Sequence, residues 1–255
     1  MLRSLPERLY ANLAGQHAWL AKSSSGEILP TPASLPAYGT PVELLDVLLH
    51  SLPTRRGIRK LSVMLPSQSA RCVSLPWSPN LRGRDEYQAY AVAHLEQAGL
   101  SGGDNHAVHA EFRHYGAQGL AYAVPMPLLN DLHAVATRHG AELTTVLPIG
   151  AVAHLAASRS RGNGLEVSLV AEESSIIALV LNRTGLHRYD AEPTIGGQLA
   201  AMRRLLARLA ADGGEFARIS ICTDRDGDEL AGVATVYSSQ APVCKVKSCE
   251  WRRFL

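Results

Sequence analysis

Cysteine and aromatic residues are scarce in this sequence, and neither sign of charge dominates. The four cysteines are scattered at positions 72, 222, 244 and 249, which argues against a disulfide framework and favours a reducing compartment. Aromatic residues make up 5% of the chain, and 25 basic residues against 23 acidic ones leave a formal net charge of +2. This composition supplies neither a stacking platform for single strands nor a broad phosphate-binding surface, so we expect no nucleic-acid partner.

Long apolar runs are also missing. No uninterrupted run approaches the roughly 18 residues that mark a membrane span, and no apolar segment follows the positive charge near the first residue. We therefore expect a cytoplasmic protein. The hydrophobic content of 46% is sufficient for a packed core, and 255 residues are enough for one large domain or two small ones.

The stretch 60–77 is the most informative part of the sequence. Apolar residues alternate over 61–65 and again over 73–77, and Pro-Ser-Gln-Ser separates the two runs. This pattern predicts a β-hairpin in which each strand buries one face. Apolar residues then recur at helical spacing from Tyr87 to Ala98, so the predicted hairpin leads directly into a helix.

The order of predicted elements repeats once along the chain. The first part contains a hairpin at 8–22, a helix at 41–52, the stretch just described, a hairpin at 105–124, a helix at 128–139, a strand at 142–147 and a helix at 148–158. The second part contains a three-strand meander at 165–189, a helix at 195–211, a strand at 216–222, an acidic loop at 224–228 and a last strand at 244–251. Because a polar, glycine-bearing segment at 159–164 separates them, we expect domains at 1–158 and 159–255. Only the first has an extra strand–helix–strand–strand unit, at about 69–124.

This duplicated plan resembles the actin-like (ASKHA-type, ribonuclease H-like) fold, and its details resemble the pilus-assembly PilM proteins and the cytoplasmic domain of the type II secretion GspL proteins. The resemblance rests on Leu-Ser-Val-Met-Leu-Pro at 61–66, Cys-Val-Ser-Leu-Pro-Trp at 72–77 with the polar helix after it, the meander at 167–189 and the helix that ends near Ala211. It covers nearly the whole chain. It implies an α/β, duplicated actin-like fold with a strand–helix–strand–strand insertion in the first half.

Actin-like proteins bind ATP between their halves through two phosphate loops, and this sequence departs from the pattern of both. Where the resemblance places the first loop, residues 11–18 contain one glycine, no aspartate for magnesium and no lysine beyond it. At the second, residues 170–175 carry Glu172 and Glu173 where phosphate would approach, and no glycine. The adenosine loop corresponds to 223–227 and also departs from the usual Gly-Gly. We therefore expect no cofactor and no enzyme activity; the alternative is an ATP-binding ATPase or phosphotransferase with diverged phosphate loops.

Two other groups of residues have some features of a metal site. The acidic loop at 224–228 has the spacing of a calcium loop, but Glu229 stands where the turn glycine belongs and Thr235 where the last glutamate belongs. A solvated acidic turn and a remnant of the adenosine loop are the other interpretations. The histidines at 106, 109 and 114 are close in sequence, yet His109 should point to the opposite side of a strand from the other two. We expect no metal site and no catalytic residue.

The resemblance places the working surface on the insertion. In PilM-like proteins the actin-like body captures the short cytoplasmic tail of a bitopic, PilN-like inner-membrane protein in a groove of the first half. An extended tail could add to a sheet edge and place alternate side chains in apolar pockets. The residues predicted to bind it are Val73, Leu75, Trp77, Tyr87 and Tyr90. Core packing is the other interpretation of the three aromatic residues.

The resemblance thus implies a non-enzymatic scaffold of a type IV pilus or type II secretion-like assembly platform, peripheral at the inner membrane. A PilN-like tail is the expected partner, with an assembly ATPase as a second one. The helix at 195–211 also carries Arg203, Arg204 and Arg208 on one face. We expect that face to be solvated, or to meet an acidic partner surface.

Overall fold

The computed structural model describes residues 7–13, 18–22, 27–36, 39–53, 57–100, 105–157, 160, 162–212, 216–223, 228–238 and 244–246. The first ten elements are β1 Glu7–Asn12, β2 Trp19–Lys22, α1 Pro41–His50, β3 Arg59–Leu65, β4 Arg71–Leu75, α2 Arg84–Gln97, β5 His106–Glu111, β6 Gly119–Pro125, α3 Met126–Arg138 and β7 Ala141–Pro148. The next eight are α4 Ile149–Ala156, β8 Leu165–Ala171, β9 Ser175–Leu181, β10 Leu186–Pro193, α5 Gln198–Ala211, β11 Phe216–Thr223, α6 Asp228–Thr235 and β12 Cys244–Val246. Nowhere in these ranges does a helix have the length and apolar character needed to cross a membrane.

Two of the three sheets share one topology. The first sheet has the order β2-β1-β3-β7, and the second has the order β10-β9-β8-β11-β12. In each, an antiparallel pair (β1 with β2, β8 with β9) is extended by two parallel strands, β3 and β7 in the first and β11 and β12 in the second. The extra antiparallel strand β10 has a short counterpart in the first sheet, an antiparallel bridge between Ala21 and Ile28. The duplication predicted from the sequence is therefore present in the strand order.

A third, three-stranded sheet has the order β4-β6-β5 and is antiparallel throughout. We call it the small sheet. Its elements run β4, α2, β5, β6 along the chain, which is the strand–helix–strand–strand order expected between 69 and 124. The small sheet has its own core, in which Leu75 of β4 and Ala121 of β6 lie beneath Ala91 and Leu95 of α2.

Local sequence explains where the helices begin. At α1, Thr40 and Glu43 form a capping box: the Glu43 N–H donates to Thr40 Oγ1 at 3.3 Å, and the Thr40 N–H donates to Glu43 Oε2 at 2.8 Å. Pro41 occupies the first turn, where its missing N–H costs nothing. At α5 the predicted start was wrong, because Gly196 and Gly197 both have positive φ and the helix begins only after them. Ile195, with which the predicted helix began, lies before the helix and is 77% exposed.

Helix α4 lies between the first and second sheets. Six of its eight residues are buried, and its Ile149 and Val152 belong to the same core cluster as Ile177 and Leu179 of β9. Complete burial of a large aliphatic side chain contributes about 1.5–3 kcal/mol. The shared apolar core therefore holds the two sheets together.

The predicted hairpin at 60–77 is wrong, although both of its strands exist. β3 lies between β1 and β7 in the first sheet, whereas β4 pairs with β6 in the small sheet. A short 3-10 turn, Ser67–Ser69, carries the chain from one sheet to the other. β3 also buries both faces, since Val63 and Met64 are both fully buried, as expected for a central parallel strand. Alternation identifies a strand but does not identify its partner.

One helix was missed by the sequence analysis, and some predictions fall on residues outside the described ranges. Helix α6 was not predicted, because its apolar residues Leu230, Val233 and Ala234 follow an acidic loop and form a short stripe. The turn of the first hairpin at 14–17, the residues at 224–227 and Cys249 lie outside the described residues, so the first phosphate loop and the acidic loop are not described.

Candidate functional site

Four aromatic rings form a continuous row at one end of the small sheet. The Tyr87 ring lies 5.4 Å from the Phe112 ring, the Phe112 ring lies 5.6 Å from the Trp77 ring, and the Trp77 ring lies 4.9 Å from the Tyr115 ring. Two of these contacts are edge-on, a geometry that contributes about 0.5–1.5 kcal/mol per pair beyond burial. The row ends at Tyr115, which is 85% exposed. The small sheet thus presents aromatic surface to solvent.

The five predicted binding residues do not all lie on this surface. Trp77 and Tyr87 belong to the aromatic row, joined through Phe112. Leu75 is fully buried, so it supports the surface from beneath, and Val73 is half-buried against the same core. Tyr90 is half-buried, donates its hydroxyl to the carbonyl of Pro76 at 3.1 Å and stacks edge-on against His94.

A groove of about 420 Å³ opens where the first turns of α2 meet β5. Arg82, Arg84, Tyr87 and Gln88 line one side, and Val108, His109, Ala110 and Phe112 line the other. Both arginines are exposed, and Asp85 and Glu86 of the same helical turn do not line the groove. Its walls are therefore mainly apolar and aromatic, with Gln88 and His109 as polar members and positive charge on the helix side.

A second cluster of polar residues joins the first sheet to the second. Glu172, in the turn between β8 and β9, is 6% exposed, and its Oε1 and Oε2 accept from the Ser67 N–H at 3.2 and 3.1 Å. Ser175 donates its hydroxyl to Glu172 Oε2 at 3.1 Å, and the Ser67 and Ser175 hydroxyl oxygens are 2.6 Å apart. Burial raises the pKa of Glu172 above its ordinary value of 4.5, and the hydrogen bonds from Ser67 and Ser175 act in the opposite direction. We call this arrangement the Glu172 bridge.

The backbone around the Glu172 bridge is also fully engaged. Gln198 at the start of α5 donates its amide to the Glu172 carbonyl at 2.7 Å, and Thr194 donates its hydroxyl to the Glu173 carbonyl at 2.6 Å. The Glu172 N–H donates to the Ser175 carbonyl at 2.9 Å. These bonds fix the β8–β9 turn against α5 and leave a carboxylate as the anion at its centre.

Comparison with solved structures places this architecture among known proteins. No protein-family model matches the sequence, and no curated protein matches it. Among solved structures, a Bacteroides thetaiotaomicron protein of unknown function with an actin-like ATPase fold superimposes with a TM-score of 0.62 at 11% identity, over 94% of this chain and 90% of its own.

The chain has the actin-like fold. The PilM–PilN type IV pilus biogenesis complex matches with a TM-score of 0.60 at 14% identity, over 97% of this chain and 94% of the matched chain. The cytoplasmic domain of EpsL, an inner-membrane component of the type II secretion system of Vibrio cholerae, matches with a TM-score of 0.56 at 12% identity, over 96% and 92%. The predicted fold class is therefore confirmed, and the predicted resemblance holds at the level of fold.

The Glu172 bridge lies at the turn that the resemblance to actin-like proteins assigns to the second phosphate loop. The sequence indicated that Glu172 would oppose a phosphate there. It did not indicate Ser67, which is 105 positions away and lies in a different sheet. Among the described residues, no three His, Cys, Asp or Glu side chains are grouped as metal ligands.

Sequence reasoning missed most of the groove. Arg82 and Arg84 stand in a segment without periodicity, and Phe112 is one residue of the predicted hairpin at 105–124, with no signal of a binding role. The arginine face of α5 is exposed, in line with the expectation of a solvated face. Arg204 and Arg208 both pair with Glu192 of β10 at 2.7 Å, so the acidic surface that they meet belongs to the same chain.

Proposed function

We propose that this chain is a non-enzymatic cytoplasmic scaffold in the assembly platform of a type IV pilus or type II secretion-like machine. It is peripheral at the inner membrane because it binds the cytoplasmic tail of a bitopic, PilN-like protein. An assembly ATPase is its second partner. Its actin-like halves span 1–158 and 159–255, and the small sheet with α2 is an insertion in the first half that carries the partner site.

The observation that carries the proposal is the Glu172 bridge. An actin-like nucleotide site needs backbone N–H groups and a cation free to receive phosphate oxygens. Here the Ser67 N–H and the Ser175 hydroxyl already donate to a carboxylate of the chain. A phosphate entering this turn would have to displace that carboxylate and would be repelled by it. The competing function, an ATPase or phosphotransferase with diverged loops, requires this turn to open.

The partner site is proposed for the groove and the aromatic row. Aromatic side chains are enriched at the centres of protein interfaces, since they bury a large area at low entropic cost. Tyr87 and Phe112 belong to both the groove and the row, and Trp77 is the next ring in the row. The similarity to a PilM–PilN complex supports a membrane-protein tail as the ligand, whereas the fold alone does not specify it.

Affinity capture from solubilised membranes of the source organism tests this function. The full chain, Tyr87→Ala and Glu172→Gln are immobilised in parallel, and bound bitopic proteins are quantified by mass spectrometry. We expect the full chain and Glu172→Gln to retain a bitopic pilus or secretion component and Tyr87→Ala to lose at least about 90% of it, as for an interface anchor. Failure of the full chain to retain any such component contradicts the proposal.

A further inference from the structure

The groove exposes the backbone edge of β5. β5 pairs with β6 from His106 opposite Pro125 to Glu111 opposite Leu120, and no other strand in the described ranges pairs with it. Three consecutive residues, 108, 109 and 110, line the groove. Since successive side chains of a strand point to opposite faces, a groove that meets all three runs along the strand's edge. An edge with unpaired N–H and C=O groups is a template for one more strand.

The charged residues that line the groove are both arginines, whereas Glu111, at the end of β5, does not line it. Arg82 and Arg84 line the groove, and neither forms an ion pair with any residue that the structure describes. Glu86, on the same helical turn as Arg84, accepts from the Arg82 backbone N–H at 2.7 Å and does not line the groove. The arginine side chains are therefore available to carboxylates of a bound molecule, which they recognise through charge-assisted hydrogen bonds.

The rest of the lining is mainly apolar and aromatic, with Gln88 and His109 as its other polar residues. Val108 and Ala110 pack against the small core from the α2 side of β5, and Tyr87 and Phe112 stack at the groove wall. A strand lying along β5 would point alternate side chains toward these residues.

From this edge, charge and apolar lining we infer the chemistry of the occupant: an extended peptide that adds to β5 as a strand, with apolar side chains against Tyr87 and Phe112 and glutamate or aspartate side chains at Arg82 and Arg84. This inference rests on the proposed function and specifies it, because it predicts that the partner's tail contains an acidic segment with alternating apolar residues.

Binding of three blocked eight-residue peptides, followed by fluorescence polarisation, tests the inference. In each peptide valine alternates with one polar residue, which is glutamate, glutamine or lysine. The full chain is compared with Arg82→Glu, Arg84→Glu and Arg203→Glu; the last is a matched charge reversal on an exposed face of α5. Circular dichroism melting checks that all four proteins fold equally.

We expect the glutamate peptide to bind the full chain and Arg203→Glu alike, and each groove reversal to weaken it about fivefold or more. We expect weaker binding of the glutamine peptide, no binding of the lysine peptide, and loss of affinity when alternate peptide nitrogens are methylated, since methylation removes the donors that a strand needs. Equal affinity for the glutamate and glutamine peptides, equal affinity of Arg84→Glu and Arg203→Glu, no binding of the glutamate peptide, or no effect of methylation would each overturn the inference.

Membrane capture with Arg82→Glu and Arg84→Glu distinguishes a failure of the acidic-strand inference from a failure of the proposed scaffold function. If these variants retain the bitopic partner as well as the full chain does, the acidic-strand inference fails while the scaffold function stands. If the full chain itself retains no bitopic partner, the scaffold function fails.

Discussion

Glu172 and Ser67 lie 105 positions apart in the chain, yet the Glu172 carboxylate accepts the Ser67 backbone N–H at 3.1 Å in a buried site. This contact connects the end of β3 in the first sheet to the β8–β9 turn of the second. The resemblance assigns this turn to the second phosphate loop, and in the proposed function Glu172 excludes phosphate from it. The stability of the fold should therefore depend on Glu172. A substitution that removes its side-chain acceptor and one that removes only its charge should have different effects.

Glu172→Ala should lower the free energy of unfolding by about 1–3 kcal/mol, because it removes the acceptor of the part-buried Ser67 N–H and Ser175 hydroxyl. Glu172→Gln keeps an acceptor and removes the charge that burial disfavours, so at pH 7 it should be neutral or stabilising. Because the folded-state pKa of Glu172 is raised above 4.5, the cost of its charge appears as the pH rises above that value. The stability gained by Glu172→Gln should therefore grow with pH and then level off. Urea unfolding between pH 4 and pH 8 measures this, and a gain that shrinks as pH rises would contradict it.

His154→Leu should stabilise the protein and reduce its acid sensitivity. His154 is 3% exposed, and neither ring nitrogen has a hydrogen-bond partner among the described residues. Burial, followed by the charges of Arg113 and His114, lowers the pKa of His154 to about 4 from its ordinary 6.5. The unfolded chain thus binds a proton first, and stability falls as the pH drops from about 6.5 to about 4, by on the order of 3 kcal/mol.

We expect His154→Leu to gain about 1–2 kcal/mol at pH 7 by removing an unpaired buried polar group, and to gain more at pH 5. The exposed His133 supplies a matched control, and His133→Leu should change stability little. Thermal unfolding at both pH values measures the difference. An equal effect of the two substitutions would show that His154 is not held neutral by burial.

Gly150→Ala should destabilise the chain, although alanine favours helices. A Cβ at Gly150 in α4 would lie 3.1 Å from the Tyr189 ring and 3.4 Å from Cys72 Sγ, so the Tyr189 side chain would have to shift by a few tenths of an ångström. The control is Gly232 in α6, where a Cβ meets nothing within 4 Å. Gly232→Ala should gain about 0.5–1 kcal/mol from helix propensity. Differential scanning calorimetry compares the two, and a higher Tm for Gly150→Ala would refute close packing there.

Glu192→Gln should cost about 0.5–1 kcal/mol at pH 7 and low salt. Glu192 of β10 pairs with Arg204 and Arg208 of α5, both at 2.7 Å, and hydrogen bonds from these arginines lower the pKa of Glu192 below 4.5. A lowered folded-state pKa gives stability that is present above pH 4.5 and is lost as the pH falls through the folded value. The arginine side chains are 45% and 41% exposed, so solvent reduces the effect, and about 1 M salt should remove most of it.

The matched control for that measurement is Glu142→Gln, a substitution at an exposed position of β7. A cost that is equal for the two substitutions, or that persists in high salt, would contradict an ion-pair origin.

Periodicity was enough to predict most strands and helices and the duplicated order, because each element's apolar pattern is local. It did not predict sheet partners. The alternating runs of β3 and β4 suggested a hairpin, whereas tertiary packing places β3 between two parallel strands and β4 in the small sheet. The apolar spacing of the sequence extends the helix α5 back to Ile195. In the structure the helix begins only after Gly196 and Gly197, because both glycines have positive φ.

The candidate site was predictable only in part. The chemistry of Glu172 could be inferred from its residue type at the expected loop, whereas its partner Ser67 depends on how two sheets meet. Trp77 and Tyr87 were selected from the sequence and belong to one aromatic row, but Phe112, which connects them, and the groove arginines have no local signal of a shared surface. Such a surface forms only when α2 and β5 pack together.

Titration calorimetry of the full chain with Mg-ATP tests most directly whether the Glu172 bridge has replaced a nucleotide site. We predict no saturable heat up to about 1 mM Mg-ATP, which corresponds to a binding free energy no stronger than about −4 kcal/mol. Micromolar binding that Glu172→Ala weakens would contradict the non-enzymatic scaffold and favour the ATP-binding alternative.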